Sequence, residues 1–175
     1  MFGTRQFHGA AVNDITRAAG VAQGTFYVYF KSKQEIFREL VTDLSHRLRT
    51  DLATSTRGMP NRLAMERAGI EAFLRFARNH RYLYRIVREA EFVDPDQFQW
   101  FYRTMAEGYV RGLSLAGAQG EAAVPHAEAL AYCLMGLTDF IGMRWVLWEG
   151  QEPPAEVVDA VMQFIEYGLR TPPTP

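Results

Sequence analysis

Gln23, Thr25, Tyr27, Tyr29, Lys31 and Lys33 crowd into one short stretch of a 175-residue chain. Their side chains are of the kinds that hold nucleic acid: hydroxyls donate to phosphate oxygens, a carboxamide reads an adenine edge, and ammonium groups neutralise phosphate charge. Between them, Gly24 would let the backbone approach a groove wall closely. Lys31 and Lys33 are also the only lysines in the chain, every other basic residue being arginine.

Such residues act together only if a rigid element presents them. Asn13 to Ala19 reads as a short helix, Gly20-Val21 as a turn and Ala22 to Phe30 as a second helix, which is helix-turn-helix spacing. Phe26 and Phe30 are four residues apart and would turn together toward Ile15, Ala18 and Val21. Gln23, Thr25, Tyr27, Val28 and Tyr29 are then left on the remaining surface. Taken singly, Tyr27 or Tyr29 would serve equally well as a core residue of a plain helical hairpin.

The formal net charge of -1 argues against a nucleic-acid binder until it is divided along the chain. Residues 1–50 hold seven Lys or Arg against four Asp or Glu, a net +3, and the remainder holds 12 against 16, a net -4. One end is basic and the rest acidic, an asymmetry that suggests two jobs. At 48% hydrophobic residues the chain has material for one sizeable core or two small ones. No signal-peptide pattern opens it, and a cytoplasmic location is expected. The apolar run Ala129 to Trp148 contains Asp139 and Arg144, either of them costly at a bilayer centre, so it is expected to be a soluble helix buried on several sides, with no membrane partner.

Enzymatic patterns fail particular checks. His126-Ala127-Glu128 imitates the H-x-E of zinc deaminases, but the single cysteine, Cys133, cannot supply their other ligands. Gly112 to Ala116 stops short of a nucleophile elbow, no Glu-x-x-His pair exists, and no phosphate-binding glycine motif appears. The expectation is a protein with no catalytic residues, metal or cofactor.

Along the whole chain, apolar residues recur every three to four positions and strand patterns are nearly absent, so the fold class is all-α. Ser32 and Glu35 have capping-box spacing and open a helix reaching about Ala53. Thr54 to Asn61 reads as a loop. Helices then follow to about Asn79, from Arg81 to Phe92, from the Asp94-Pro95 cap to Leu115, from Pro125 to near Glu149, and from Ala155 to Leu169 before a Thr/Pro tail.

The segment Phe7-His8-Gly9-Ala10-Ala11-Val12-Asn13-Asp14-Ile15, followed by Ala18-Ala19-Gly20-Val21-Ala22-Gln23-Gly24-Thr25-Phe26-Tyr27-Val28-Tyr29-Phe30-Lys31-Ser32-Lys33, resembles the DNA-binding signature of TetR-family transcriptional regulators. The resemblance implies a homodimeric, all-helical regulator, usually a repressor, with an N-terminal DNA-binding region and a larger region for ligand binding and dimerisation. It places Gln23, Thr25, Tyr27 and Tyr29 on the recognition helix facing DNA, Lys33 against a phosphate at the start of the next helix, and Phe26 and Phe30 in the core. Three positions depart from the family pattern. Ala11 stands where a capping Thr is common, at a cost of about 1 kcal/mol. Thr16 replaces a usual alanine. Met1-Phe2-Gly3 corresponds to the end of the family's first helix, most of which is absent, an arrangement expected to leave part of Ile15 or Phe26 uncovered.

These readings divide the chain into a helix-turn-helix region, residues 1–46, and an effector-binding and dimerisation domain, residues 47–175. In the latter, Phe98, Phe101, Tyr102, Met105 and Tyr109 form a helical stripe, and Phe73 and Phe76 a shorter one. Ordinary core packing is one reading. The other is an aromatic-lined site for an apolar or aromatic small-molecule effector, with Phe73, Phe101, Tyr102, Met105, Tyr109, Phe140, Arg144 and Trp145 as candidates. Arg144 would anchor a ligand anion, or pair with an acid such as Glu89 or Glu91. Val158, Val161, Met162 and Ile165 are the candidate dimer contacts on the last helix. The expected function is a ligand-responsive repressor that binds a palindromic, double-stranded DNA operator as a homodimer. The alternative is a helical ligand- or partner-binding protein that has lost DNA binding.

Overall fold

The computed structural model describes residues 1–170, and the Thr/Pro tail lies outside the described residues. Among the described residues nine α-helices follow one another: α1 (Phe2–Gly9), α2 (Val12–Ala19), α3 (Gln23–Tyr29), α4 (Lys33–Thr56), α5 (Arg62–Asn79), α6 (Leu83–Val93), α7 (Pro95–Ala118), α8 (Ala127–Gly142) and α9 (Ala155–Leu169). No strand occurs among the described residues. From Met143 to Trp148 the chain continues α8 as a wider π-helical segment. The all-α expectation holds, as do the placings of α2 to α9 to within a few residues.

The chain forms two compact units, Met1–Arg47 with His80–Tyr102, and Leu48–Asn79 with the chain from Arg103 onward. The first unit thus includes residues 80–102, a stretch that the sequence division places in the second region. Its core is aromatic: Phe2 and Phe37 meet edge to face with ring centres 5.3 Å apart, Phe7 meets Phe37 at the same separation, and Phe37 is fully buried. Asp94 fixes the start of α7, its Oδ1 accepting the Gln97 N–H at 3.3 Å while Oδ2 accepts from Arg38 Nε at 2.7 Å. Gln97 in turn donates to Thr42 Oγ1 at 2.9 Å. Asp94 is 3% exposed, and the Arg38 guanidinium holds its carboxyl below the usual range.

The sequence reading expected little of a first helix, yet Phe2 to Gly9 is helical on either side of a break at Gln6, whose φ of 61° lies in the left-handed region. That backbone costs about 1–3 kcal/mol in a non-glycine residue and persists because Phe7 is anchored on both sides. The Phe7 N–H donates to Glu89 at 2.6 Å, and Lys33 Nζ donates to the Phe7 carbonyl at 2.6 Å. Arg85 reaches the Gly3 carbonyl at 3.1 Å, and Gly3 lies against the Tyr82 ring with no room for a Cβ. Phe26 is therefore covered, at 5% exposure, and Ile15 is half-buried. The expected uncovering falls instead on Ala18 and Val21, both exposed.

In the second unit α5 packs against α8, the π-helical segment and α9. Ala127–Trp148 is long and apolar enough, by length and composition, to span a bilayer, and only about a third of it is buried. The expectation of burial on several sides is corrected accordingly: the helix covers one face on the unit's own core and leaves an apolar stripe outside. Sequence reading also missed the Arg62–Glu66 ion pair, 6% and 3% exposed, because an i, i+4 pair opening a helix resembles a surface pair. Arg62 packs onto Gly112, where a Cβ would meet its guanidinium at 2.5 Å. Burial lowers the Arg62 pKa and raises that of the neighbouring Tyr109 phenol, which the Arg62 charge partly pulls back.

Candidate nucleic-acid interface

The turn between α2 and α3 is built by Gly20. Its φ of 69° is left-handed, its N–H donates to the Arg17 carbonyl at 3.2 Å, and the Val21 N–H donates to the Thr16 carbonyl at 3.0 Å. This pair of bonds closes a helix in a Schellman motif and sets the direction in which α3 departs. At the other end of α2, Ala11 offers no side-chain acceptor. Asp14 supplies half of the missing cap by accepting the Ala11 N–H at 3.4 Å, and it also pairs with Arg5 at 3.1 Å. Thr16 is buried and turns its hydroxyl back onto the Asn13 carbonyl at 3.1 Å.

On α3, Phe26 is buried and Phe30 half-buried, their ring centres 5.5 Å apart. Gln23 and Gly24 are exposed and Thr25 is intermediate, while Tyr27 is 55% exposed and Tyr29 72%. The two tyrosines are thus surface residues, which decides between the core and surface readings that the sequence left open. Gly24 needs neither a left-handed φ nor space inside the chain, since a Cβ there would meet nothing within 4 Å.

The basic residues divide by partner. Arg17 and Lys31 are exposed, with no side-chain partner among the described residues. Lys33 is different from expectation: its Nζ donates to the Phe7 carbonyl and lies 4.4 Å from the Phe7 ring centre. Lys33 is half-buried and braces α1 just past the break at Gln6, sharing the Phe7 carbonyl with the Ala10 N–H. Ser32 caps α4 by accepting the Glu35 N–H at 3.1 Å, and Glu35 turns back to accept the Lys31 N–H.

Residues 1–40 match the family model for bacterial regulatory proteins of the tetR family. The match places this N-terminal segment in the tetR family of bacterial regulatory proteins. A relative over nearly its whole length is the HTH-type transcriptional regulator YdgC of Bacillus subtilis, 28% identical over 96% of this chain and 86% of that protein. The HTH-type transcriptional activator FasR of Mycolicibacterium smegmatis is 32% identical over 55% of this chain and 44% of its own length. The fold is matched in solved structures of the fatty acid degradation regulator FadR from Bacillus halodurans and of Salmonella enterica GusR, both at a TM-score of 0.82. The first is 20% identical, covering 98% of this chain and 91% of that one, and the second is 18% identical, covering 97% and 90%. The chain is a transcriptional regulator of this type.

The remaining candidates fall in several places. Phe101, at 5% exposure, and half-buried Tyr102 belong to the first unit, where Tyr102 meets the rings of Phe98 and Phe101. Phe73, Met105, Tyr109 and Trp145 are buried or half-buried in the second unit. Phe140, by contrast, is 63% exposed and faces outward from α8. Arg144 is exposed too, paired with Glu149 on its own segment rather than with Glu89 or Glu91, and stacked over Trp145 at 5.2 Å. Val158, Val161, Met162 and Ile165 are each at most 9% exposed, because that edge of α9 already packs inward in its own unit. The apolar surface that α8, its π-helical extension and α9 offer outward is Tyr132, Phe140, Trp148, Phe164 and Tyr167.

Proposed function

We propose that the chain is a cytoplasmic, ligand-responsive repressor that binds a palindromic operator as a homodimer and leaves it when a small apolar or aromatic effector binds. The observation that carries the reading is the surface of α3: Gln23, Gly24, Tyr27 and Tyr29 are exposed on the helix held out by the Gly20 turn, inside the segment that matches the family model. Gln23 would read a base edge, Thr25, Tyr27 and Tyr29 would donate to phosphate or base, and Lys31 with Arg17 would meet phosphates. Lys33 would act chiefly by holding α1.

Phe164, Tyr167, Phe140 and Tyr132 would form the dimer contact in place of the inward edge of α9, since a second chain can cover only what its partner leaves exposed. Phe73, Met105 and Tyr109, with the buried Arg62–Glu66 pair as the polar group, would form the effector site of the second unit, with Phe101 and Tyr102 left as core of the first. An effector that separates DNA affinities tenfold needs about 1.4 kcal/mol of differential binding between the two states. Native mass spectrometry of the purified protein, followed by adding the identified ligand to its complex with DNA from around its own gene, tests this reading. A tenfold or greater loss of DNA retention is expected, and unchanged or tightened retention would remove the repressor release scheme.

A further inference from the structure

Val28 is the one residue of α3 that neither the core nor the polar face accounts for. It is 77% exposed, far more than a β-branched apolar residue needs to be on a short helix with a buried side. Gly24 and Val28 share one face of the helix, with Tyr27 beside them, and Lys31 follows beyond the helix end after the extended Phe30. A helical side chain leans toward the helix N-terminus, so the isopropyl group of Val28 stands over the turn that contains Gly24. There the surface is bare: a Cβ on Gly24 would meet nothing within 4 Å. The result is a shallow apolar notch, floored by the Gly24 backbone, walled by the Val28 methyls and rimmed by the exposed Tyr27.

We propose that this notch receives the 5-methyl group of a thymine, which makes Val28 a specificity-determining residue of the DNA interface. The base edges of the major groove present donors, acceptors and one apolar group, the thymine methyl. Valine offers no hydrogen bond, so on a helix that reads the groove its discrimination is for that methyl alone. The absence of a side chain at residue 24 admits the methyl beside Val28, and Lys31, exposed just past the end of α3, is available to a flanking phosphate. The inference rests on the proposed reading of α3 as a DNA reader.

The test selects bound duplexes from a random pool with the full chain, then replaces each thymine of the selected half-site singly with deoxyuridine, which lacks only the methyl. At one position per half-site the replacement should weaken binding by the wild-type protein about fourfold, the ratio for ~0.8 kcal/mol of buried methyl. The V28A protein should be indifferent at that position and should respond like wild type at all others. Its circular-dichroism melt should not fall, because the residue is exposed and alanine favours helix. Equal responses of the two proteins at every thymine, or a selected half-site without thymine, would overturn the assignment of Val28 while leaving the DNA reading in place. A pool that yields no selected sequence would overturn both.

Discussion

The Asp94 carboxylate joins α7 to α4 inside the N-terminal unit, and its sign of pH dependence follows from its partners. Bonding to Arg38 lowers the folded pKa, so the contribution is fully present above the unfolded value of about 3.9 and is lost as pH falls through the lower folded value. D94N should keep the cap at Gln97, lose about 1 kcal/mol at neutral pH because Arg38 is half in solvent, and show a flatter acid limb. Urea melts at pH 7 and below pH 4 check this. The two lysines make a second pair of expectations. K31A should reduce the salt slope of DNA binding by about 0.9 with no change in melting, since one phosphate contact is lost. K33A should lower the melting temperature, because its ammonium braces Phe7. Sequence showed which residue types crowd into residues 23–33 but not that one of the two ammoniums turns inward, because the broken α1 it serves has no local signal at Gln6.

At the scale of elements, the legible features were those with local causes. Gly20 needs its left-handed backbone, Ser32 its cap and Asp94-Pro95 its helix start, and each lies where spacing placed it. What was not legible is which face of a two-sided helix turns inward. α9 is apolar along more than one edge, and packing on α5, remote in sequence, chooses Val161 and Ile165 for the core and leaves Phe164 and Tyr167 outside. The difference is testable by substitution: V161A should lose about 1–3 kcal/mol of stability as a cavity mutant, while the F164E/Y167E double variant should melt near wild type but sediment as a monomer. On α3, G24A should raise stability by up to about 1 kcal/mol, because alanine is the better helix former and space is open. The same change should weaken DNA binding, and a binding isotherm beside the melt separates the two effects.

For the whole molecule, the near-zero charge is the sum of a basic N-terminal stretch and an acidic remainder, and the structure divides the chain into two units of which the first holds α3. The second unit was the least legible. Candidate ligand residues chosen by aromatic periodicity include Phe140 and Arg144, which face solvent, while the buried Arg62–Glu66 pair went unseen. Periodicity identifies a helix face without saying what covers it. The central claim is that two copies of this chain present two α3 helices to one duplex. Hydroxyl-radical footprinting of the full chain on DNA from around its own gene, with the stoichiometry measured on the same complex, tests it most directly. Two chains per site and two protected patches related by a two-fold axis, centred about 34–36 Å apart, are expected. A single patch with one chain bound, or no protection at low salt, would contradict it.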